Sequence, residues 1–104
     1  MPNDFAVLYR WRVKPGLESQ FRDGWRRVTL GILEQCDSFG SRLHECEDGT
    51  WVAYARWPSA EARDRCSDGP PADAEGRRLM REASEYVYED VVLTLVDDLL
   101  REPD

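Results

Sequence analysis

Histidine and cysteine are scarce in this sequence, whose 104 residues include one His and three Cys. The cysteines stand at positions 36, 46 and 66, a count and spacing that favour neither a disulfide framework nor a zinc site. One His without clustered thiols also leaves no ligand set for haem or a metal ion. Glycine-rich phosphate loops and Gly-x-Ser-x-Gly nucleophile elbows are missing from the sequence as well. The sequence therefore predicts a protein without a bound metal, haem or other cofactor.

Long apolar runs are missing too. No stretch approaches the roughly 18 consecutive apolar residues of a membrane helix, and the N-terminal Met-Pro-Asn-Asp lacks the basic and apolar regions of a signal peptide. The 14 basic residues are outnumbered by 21 acidic ones, and a net charge of −7 disfavours contact with nucleic acid or anionic lipid. We expect one cytoplasmic domain over residues 1–104, with its core at about 5–96, that binds neither nucleic acid nor membrane.

The first third of the chain predicts a strand followed by a helix. Residues 5–13 are rich in aromatic and β-branched types and predict a strand in which alternate residues share a face. A Lys-Pro-Gly turn ends it. The apolar residues that follow recur at spacings of three and four, which predicts a helix over 17–35 with one apolar face made of Leu17, Phe21, Trp25, Val28 and Ile32.

The remaining elements complete a ferredoxin-like order. Turn signals and period-2 patterns predict a strand over 41–47, an Asp-Gly hairpin turn, a strand over 51–57, helices over 60–67 and 72–84, and a strand over 86–96. The order β-α-β-β-α-β is that of the split βαβ arrangement. We therefore predict an α+β fold with a four-stranded antiparallel sheet and both helical regions on one face.

The predicted strands are apolar on both faces, although an open sheet that meets water is polar on one side. The first strand, for example, carries Val7 and Trp11 on one face and Ala6 and Leu8 on the other. An exposed apolar patch of this size is typical of an interface. The pattern predicts a homodimer in which two sheets pack face to face.

Four short segments match motifs of a known family. They are Val13-Lys14-Pro15-Gly16, Phe21 in the first helix, Gly40-Ser41-Arg42-Leu43-His44, and Tyr54-Ala55-Arg56-Trp57-Pro58-Ser59 followed by Glu61-Ala62. Over about residues 5–96 the chain resembles the antibiotic biosynthesis monooxygenase family. The resemblance implies a dimeric α+β barrel with an active cleft between the sheet and the helices of each protomer. It also implies an activity, because members of that family oxidise polycyclic phenols to quinones with molecular oxygen and no bound cofactor.

The resemblance further implies two catalytic residues. Trp57 matches a Trp that faces the cleft from the third strand, and His44 matches a His of the second strand. Ala53 stands where those members carry an Asn. Because the imidazole of histidine ordinarily exchanges its proton near neutral pH, His44 is the candidate to take a phenolic proton, and we expect it to border the same pocket as Trp57.

Alternation along the strands extends this pocket. Trp51 and Ala53 share the face of Trp57, and Tyr9 and Trp11 line the matching face of the first strand. Aromatic walls around a small residue suit a flat aromatic metabolite, although the same side chains equally suit a packed core under the helices. Arg81, on the predicted helix over 72–84, is a candidate to hold a phenolate or carboxylate, or else part of a solvated face.

Two function classes remain open. The first is a cofactor-independent monooxygenase acting on an aromatic or polyketide-type metabolite, favoured by His44 and the aromatic walls. The second is a dimeric small-molecule-binding or pathway accessory protein without its own chemistry, favoured by Ala53 in place of the family's Asn. A cavity beside Trp57 that contains His44 would favour the first class.

Overall fold

The computed structural model describes residues 5–101, which form five strands and three helices. In chain order the elements are β1 (Phe5–Val13), α1 (Glu18–Gln35), β2 (Ser41–Glu45), β3 (Thr50–Trp57), α2 (Ala60–Asp68), α3 (Ala74–Ala83), β4 (Ser84–Val87) and β5 (Val91–Thr94). The α+β, ferredoxin-like prediction is confirmed, and the bounds of the first six elements lie within two residues of those predicted. In this part of the chain no helix is long and apolar enough to cross a membrane.

The strands form one antiparallel sheet in the order β2-β3-β1-β4, with β5 also paired to β1. The prediction of one unbroken strand over 86–96 is wrong, because β4 and β5 occupy the same edge of β1 in succession. Trp11 pairs with Val87 and Leu8 pairs with Val91, so three residues on the last strand oppose two on β1. The extra residue is a bulge that interrupts the ladder at 88–90.

Close contact between α1 and α3 depends on two glycines that face each other. A Cβ placed on Gly24 would lie 2.7 Å from the carbonyl oxygen of Gly76 and 2.8 Å from Cγ of Met80. A Cβ on Gly76 would lie 3.0 Å from the Gly24 carbonyl oxygen. Glycine normally weakens a helix by about 1 kcal/mol relative to Ala, but here it lets the two backbones meet.

A disulfide joins Cys36, directly after α1, to Cys66 in α2, with the Cα atoms 5.6 Å apart. The argument from spacing against a disulfide is therefore wrong for this pair. The two cysteines are separated by 30 positions in the sequence, and only the packing of the helices brings them together. Cys46 is free and exposed.

Candidate functional site

The register of the sheet places four aromatic side chains on the face that the helices cover. Trp11 lies directly opposite Trp51, and Tyr9 lies opposite Ala53. Directly opposed residues point to the same side of a sheet, and alternation along β3 adds Trp57 to this side. The predicted strand faces are thus confirmed for Tyr9, Trp11, Trp51, Ala53 and Trp57.

Two of these residues, Trp11 and Trp51, pack as core. Phe21 of α1 is fully buried between them, and its ring makes edge-on contacts with Trp11 at 5.0 Å and with Trp51 at 5.8 Å between ring centroids. Such T-shaped pairs add about 0.5–1.5 kcal/mol beyond the burial of area. Of the two interpretations left open by the sequence, core packing holds at this end of the sheet.

The other end of β3 carries buried polar atoms without partners. Trp57 is 4% exposed, and its Nε1–H meets no acceptor among the described residues. The Oγ of Ser41 is also buried and unpartnered. Ser41 pairs with Ala55, which is two residues from Trp57 on the same face, so Ser41 and Trp57 are diagonal neighbours. Unsatisfied buried donors cost about 1–3 kcal/mol each, and native proteins rarely keep two side by side without a use for them.

Tyr9 links this face to α2 through an arginine. The Nε of Arg63 donates to Tyr9 Oη at 3.2 Å, its guanidinium lies 5.6 Å above the Tyr9 ring, and its Nη2 donates to Asp90 at 2.6 Å. Burial of Arg63 works against its charge, but Tyr9 and Asp90 outweigh that cost and raise the pKa of Arg63 above its ordinary value.

This arrangement leaves the Tyr9 hydroxyl hydrogen unused. Because Arg63 donates to the phenol oxygen, the hydroxyl must donate its own hydrogen elsewhere, and no residue in the range 5–101 accepts it. Tyr9 and Ala53 are cross-strand neighbours, and the small side chain of Ala53 leaves the Tyr9 ring without a bulky neighbour on β3. Tyr9 is therefore a positioned donor on the helix-covered face.

His44 lies on the other face of the sheet. It pairs with Val52, whereas its neighbour Leu43 pairs with Ala53 and packs against the core. The prediction that His44 and Trp57 border one pocket is therefore wrong. Leu43 is apolar and lies on the covered side of the sheet, and a register shift of one residue would expose it. Adjacent residues of a strand point to opposite faces, so His44 lies exposed on the uncovered face.

The arginine predicted on the late helix is also placed away from the aromatic face. Arg81 is exposed in the last turn of α3 and is not part of the cluster around Phe21. Its neighbour Arg78 forms ion pairs with Glu75 and Glu82 on the same helix. The arginine that lies beside the aromatic face is Arg63, which contacts Tyr9, and not Arg81.

No sequence-family profile and no curated protein sequence matches the chain, but solved structures do. SnoaB, a cofactor-independent oxygenase from Streptomyces nogalater, superposes with a TM-score of 0.78 at 18% identity, over 95% of this chain and 99% of SnoaB. Rv0793 from Mycobacterium tuberculosis gives a TM-score of 0.69 at 24% identity, over 93% of this chain and 99% of Rv0793. A candidate antibiotic biosynthesis monooxygenase from Nitrosomonas europaea gives a TM-score of 0.75 at 9% identity, over 92% and 93% of the two chains.

The chain has the fold of these proteins. The neighbours include members of the family that the sequence motifs resemble, and they match nearly their whole length. At these identities the likeness shows the fold, and the chemistry must be argued from the side chains themselves.

Arg63 and Asp90 are the site residues that the sequence does not reveal. Arg63 sits in a short, charged helix and lies 54 positions from Tyr9, and Asp90 lies in the bulge between β4 and β5. Neither belongs to a motif or to a periodic pattern. Only the packing of α2 over the edge of the sheet brings the three residues together.

Proposed function

We propose that the protein binds a flat, oxygenated aromatic metabolite between its sheet and helices and oxidises it with molecular oxygen, without a bound cofactor. One observation carries the proposal: Tyr9, Ser41 and Trp57 each hold a polar hydrogen on the covered face that no described residue accepts. Oxygen atoms of a ligand would satisfy these donors, and the aromatic rings would stack on its apolar faces. The fold shared with SnoaB, a cofactor-independent oxygenase, supports the reaction type.

The proposed chemistry uses the substrate as its own source of electrons. A ring methylene beside a carbonyl or phenol loses a proton to water, and the resulting carbanion adds to molecular oxygen to give a peroxide anion, which takes the proton back and becomes a hydroperoxide. Loss of water then leaves a carbonyl, so that R₂CH₂ and O₂ give R₂C=O and H₂O. Donation from Tyr9 or from Trp57 to an oxygen of the substrate would stabilise the enolate that precedes attack on oxygen. Apart from the water that takes the proton, the covered face would shield the carbanion and the hydroperoxide from solvent.

The test is oxidation of a tricyclic anthrone by the purified protein. The reaction is measured as oxygen uptake and as the absorbance of the quinone that forms. Tyr9→Phe keeps the ring and removes only the hydroxyl donor, whereas Trp57→Phe removes the indole N–H donor and also part of the aromatic surface. Each should lower the rate about 10-fold or more, because a hydrogen bond to a charged oxygen is worth about 1.5–3 kcal/mol. If both variants keep the parent's rate, neither Tyr9 nor Trp57 is part of the site.

His44→Ala belongs in the same series. A base in contact with the substrate would lose about 10²-fold or more on removal. Because His44 lies on the opposite face of the sheet from Trp57, we expect the rate to stay unchanged. A large loss in this variant would assign the base role to His44, as the family resemblance implies.

A second function, binding without chemistry, is favoured by the outward position of His44 and by Ala53 in place of the family's Asn. Binding is followed by quenching of tryptophan fluorescence in the absence of oxygen. Binding that weakens in Trp57→Phe, with no oxygen uptake by the parent protein, would establish a small-molecule-binding protein. Absence of both binding and uptake would contradict both functions for this ligand class.

We also propose that the protein acts as a homodimer joined through the uncovered face of the sheet. Leu8, Val52, Tyr54 and Leu93 lie on this face, and none of the helices within residues 5–101 covers it. Stable interfaces bury about 1,200–2,000 Å² in total, which the uncovered face of this five-stranded sheet can supply. Sedimentation at micromolar concentration should give a dimer, and a monomer alone would contradict the proposal.

A further inference from the structure

After β5 the chain leaves the sheet as an apolar and acidic segment, residues 95–101, which we term the arm. Its side chains include Val96, Leu99 and Leu100, which are 85%, 96% and 91% exposed. Asp97 and Asp98 lie between them, and Asp98 accepts a hydrogen bond from the Leu100 N–H at 2.9 Å. Four exposed apolar residues in so short a segment, counting Leu95, are typical of a surface that binds a partner.

A groove of complementary character lies in the body of the chain. Its apolar part consists of Leu30 and Leu33 of α1 and of Phe39, all exposed. Its basic part includes Arg26 and Arg42, which form no ion pair with any residue in the described range. The groove thus offers apolar surface and unpaired cations, and the arm offers apolar surface and acids.

The arm does not occupy the groove of its own chain. The groove and residues 93–100 line one cavity of about 1530 Å³, and Val96, Leu99 and Leu100 of the arm stay 85%, 96% and 91% exposed, so they do not fill it. Fully extended, seven residues span about 23 Å, and the faces of packed sheets are about 10 Å apart. The arm is therefore long enough to reach a second copy that is packed on the uncovered face.

We propose that the arm of each protomer binds in the groove of a second copy of this chain, with Asp97 and Asp98 opposite Arg26 and Arg42. The inference rests on the proposed homodimer. It also resolves a difficulty of that dimer, since Arg42, which forms no ion pair within residues 5–101, points out of the uncovered face. Two like-charged faces repel each other, and an acidic arm from the partner places negative charge between them.

Charge reversal in two separate chains tests the exchange. The arm variant carries Asp97→Arg and Asp98→Arg, and the groove variant carries Arg26→Glu and Arg42→Glu. Each alone places like charges together, so its dimer dissociation constant should rise 10-fold or more in sedimentation equilibrium. In an equal mixture both arms meet grooves of opposite charge, and a heterodimer with nearly the parent's affinity should form. Reversal of the exposed Asp64 and Asp68 to Arg is the matched control and should leave the constant unchanged.

The remaining outcomes separate the exchange from the dimer. A parent protein that sediments as a monomer would overturn the homodimer and the exchange together. A parent dimer whose affinity survives both charge reversals and truncation after Thr94 would retain the homodimer and refute the exchange. Two weakened variants that fail to combine in the mixture would show that each arm acts within its own chain, which also refutes the exchange.

Discussion

The disulfide between Cys36 and Cys66 gives the sharpest test of the tertiary structure. It ties the end of α1 to α2 and closes a loop that contains β2 and β3. Replacing both cysteines by Ser removes this link and leaves Cys46 as the single thiol. Because Cys36 and Cys66 are only half-buried, the two Ser hydroxyls can reach water and add little cost of their own.

The size of the effect follows from the length of the loop. A cross-link over a separation of 30 residues removes about 12 cal/mol/K of entropy from the unfolded chain, or about 3.6 kcal/mol at 25 °C. Domains of this size are stable by about 5–15 kcal/mol, so the loss is a large share of the total. The melting temperature should fall by at least about 14 °C.

The assay is urea unfolding of the parent and the double variant at one fixed protein concentration, since dimer formation makes stability depend on concentration. Cys46→Ser is the matched control, because it removes an exposed thiol and keeps the disulfide. Titration of thiols in denaturant, without reductant, should find one reactive thiol in the parent and none in the control.

Two results would refute the reasoning. Three reactive thiols in the freshly denatured parent would show that the bond is absent. A double variant with the parent's midpoint in urea would show that the bond adds no stability. The thiol count also bears on the predicted cytoplasmic location, because structural disulfides are rare in reducing compartments. Protein recovered from cells that were quenched in acid before lysis should show one reactive thiol if the disulfide is formed inside the cell.

Two further predictions concern local contacts. Gly24→Ala should destabilise the protein by about 1–3 kcal/mol in urea unfolding, because the new Cβ would press on the Gly76 carbonyl and on Met80. The backbone N–H of Thr50 holds the pKa of Asp48 below its ordinary value, so the carboxylate's contribution is present above about pH 4 and is lost as pH falls through the lowered pKa. Asp48→Asn, which keeps an acceptor but does not titrate, should flatten this acid slope.

Each of these predictions has a matched control variant. Gly69→Ala introduces a Cβ no closer than 3.6 Å to other atoms and should change stability little. If it costs as much as Gly24→Ala, the contact between the helices is not the cause. Glu47→Gln removes an exposed carboxylate beside Asp48 and should keep the slope. An Asp48→Asn variant with the parent's pH profile would contradict the role of the Thr50 hydrogen bond.

The sequence by itself determined the order of the first six elements and the covered faces of β1, β3 and α1. Alternation in β1 and spacings of three and four in α1 are local patterns, and hydrophobic burial acts on them in the same way wherever the element packs. They placed Phe21 on the apolar face of α1, and Trp11 and Trp51 on one face of their strands, before any contact was known. The Asp-Gly turn between β2 and β3 was equally readable, since Gly49 adopts a φ of 88°.

Tertiary structure alone decided which residues meet across the chain. The register between β2 and β3 places His44 opposite Val52, on the uncovered face of the sheet. The bulge after Val87 and the contact of Arg63 with Tyr9 likewise depend on how separate elements dock. The physical reason is that the periodicity of a segment fixes which of its sides is buried. Pairing between distant segments depends instead on the free energy of the whole fold, so it cannot be read from any single residue.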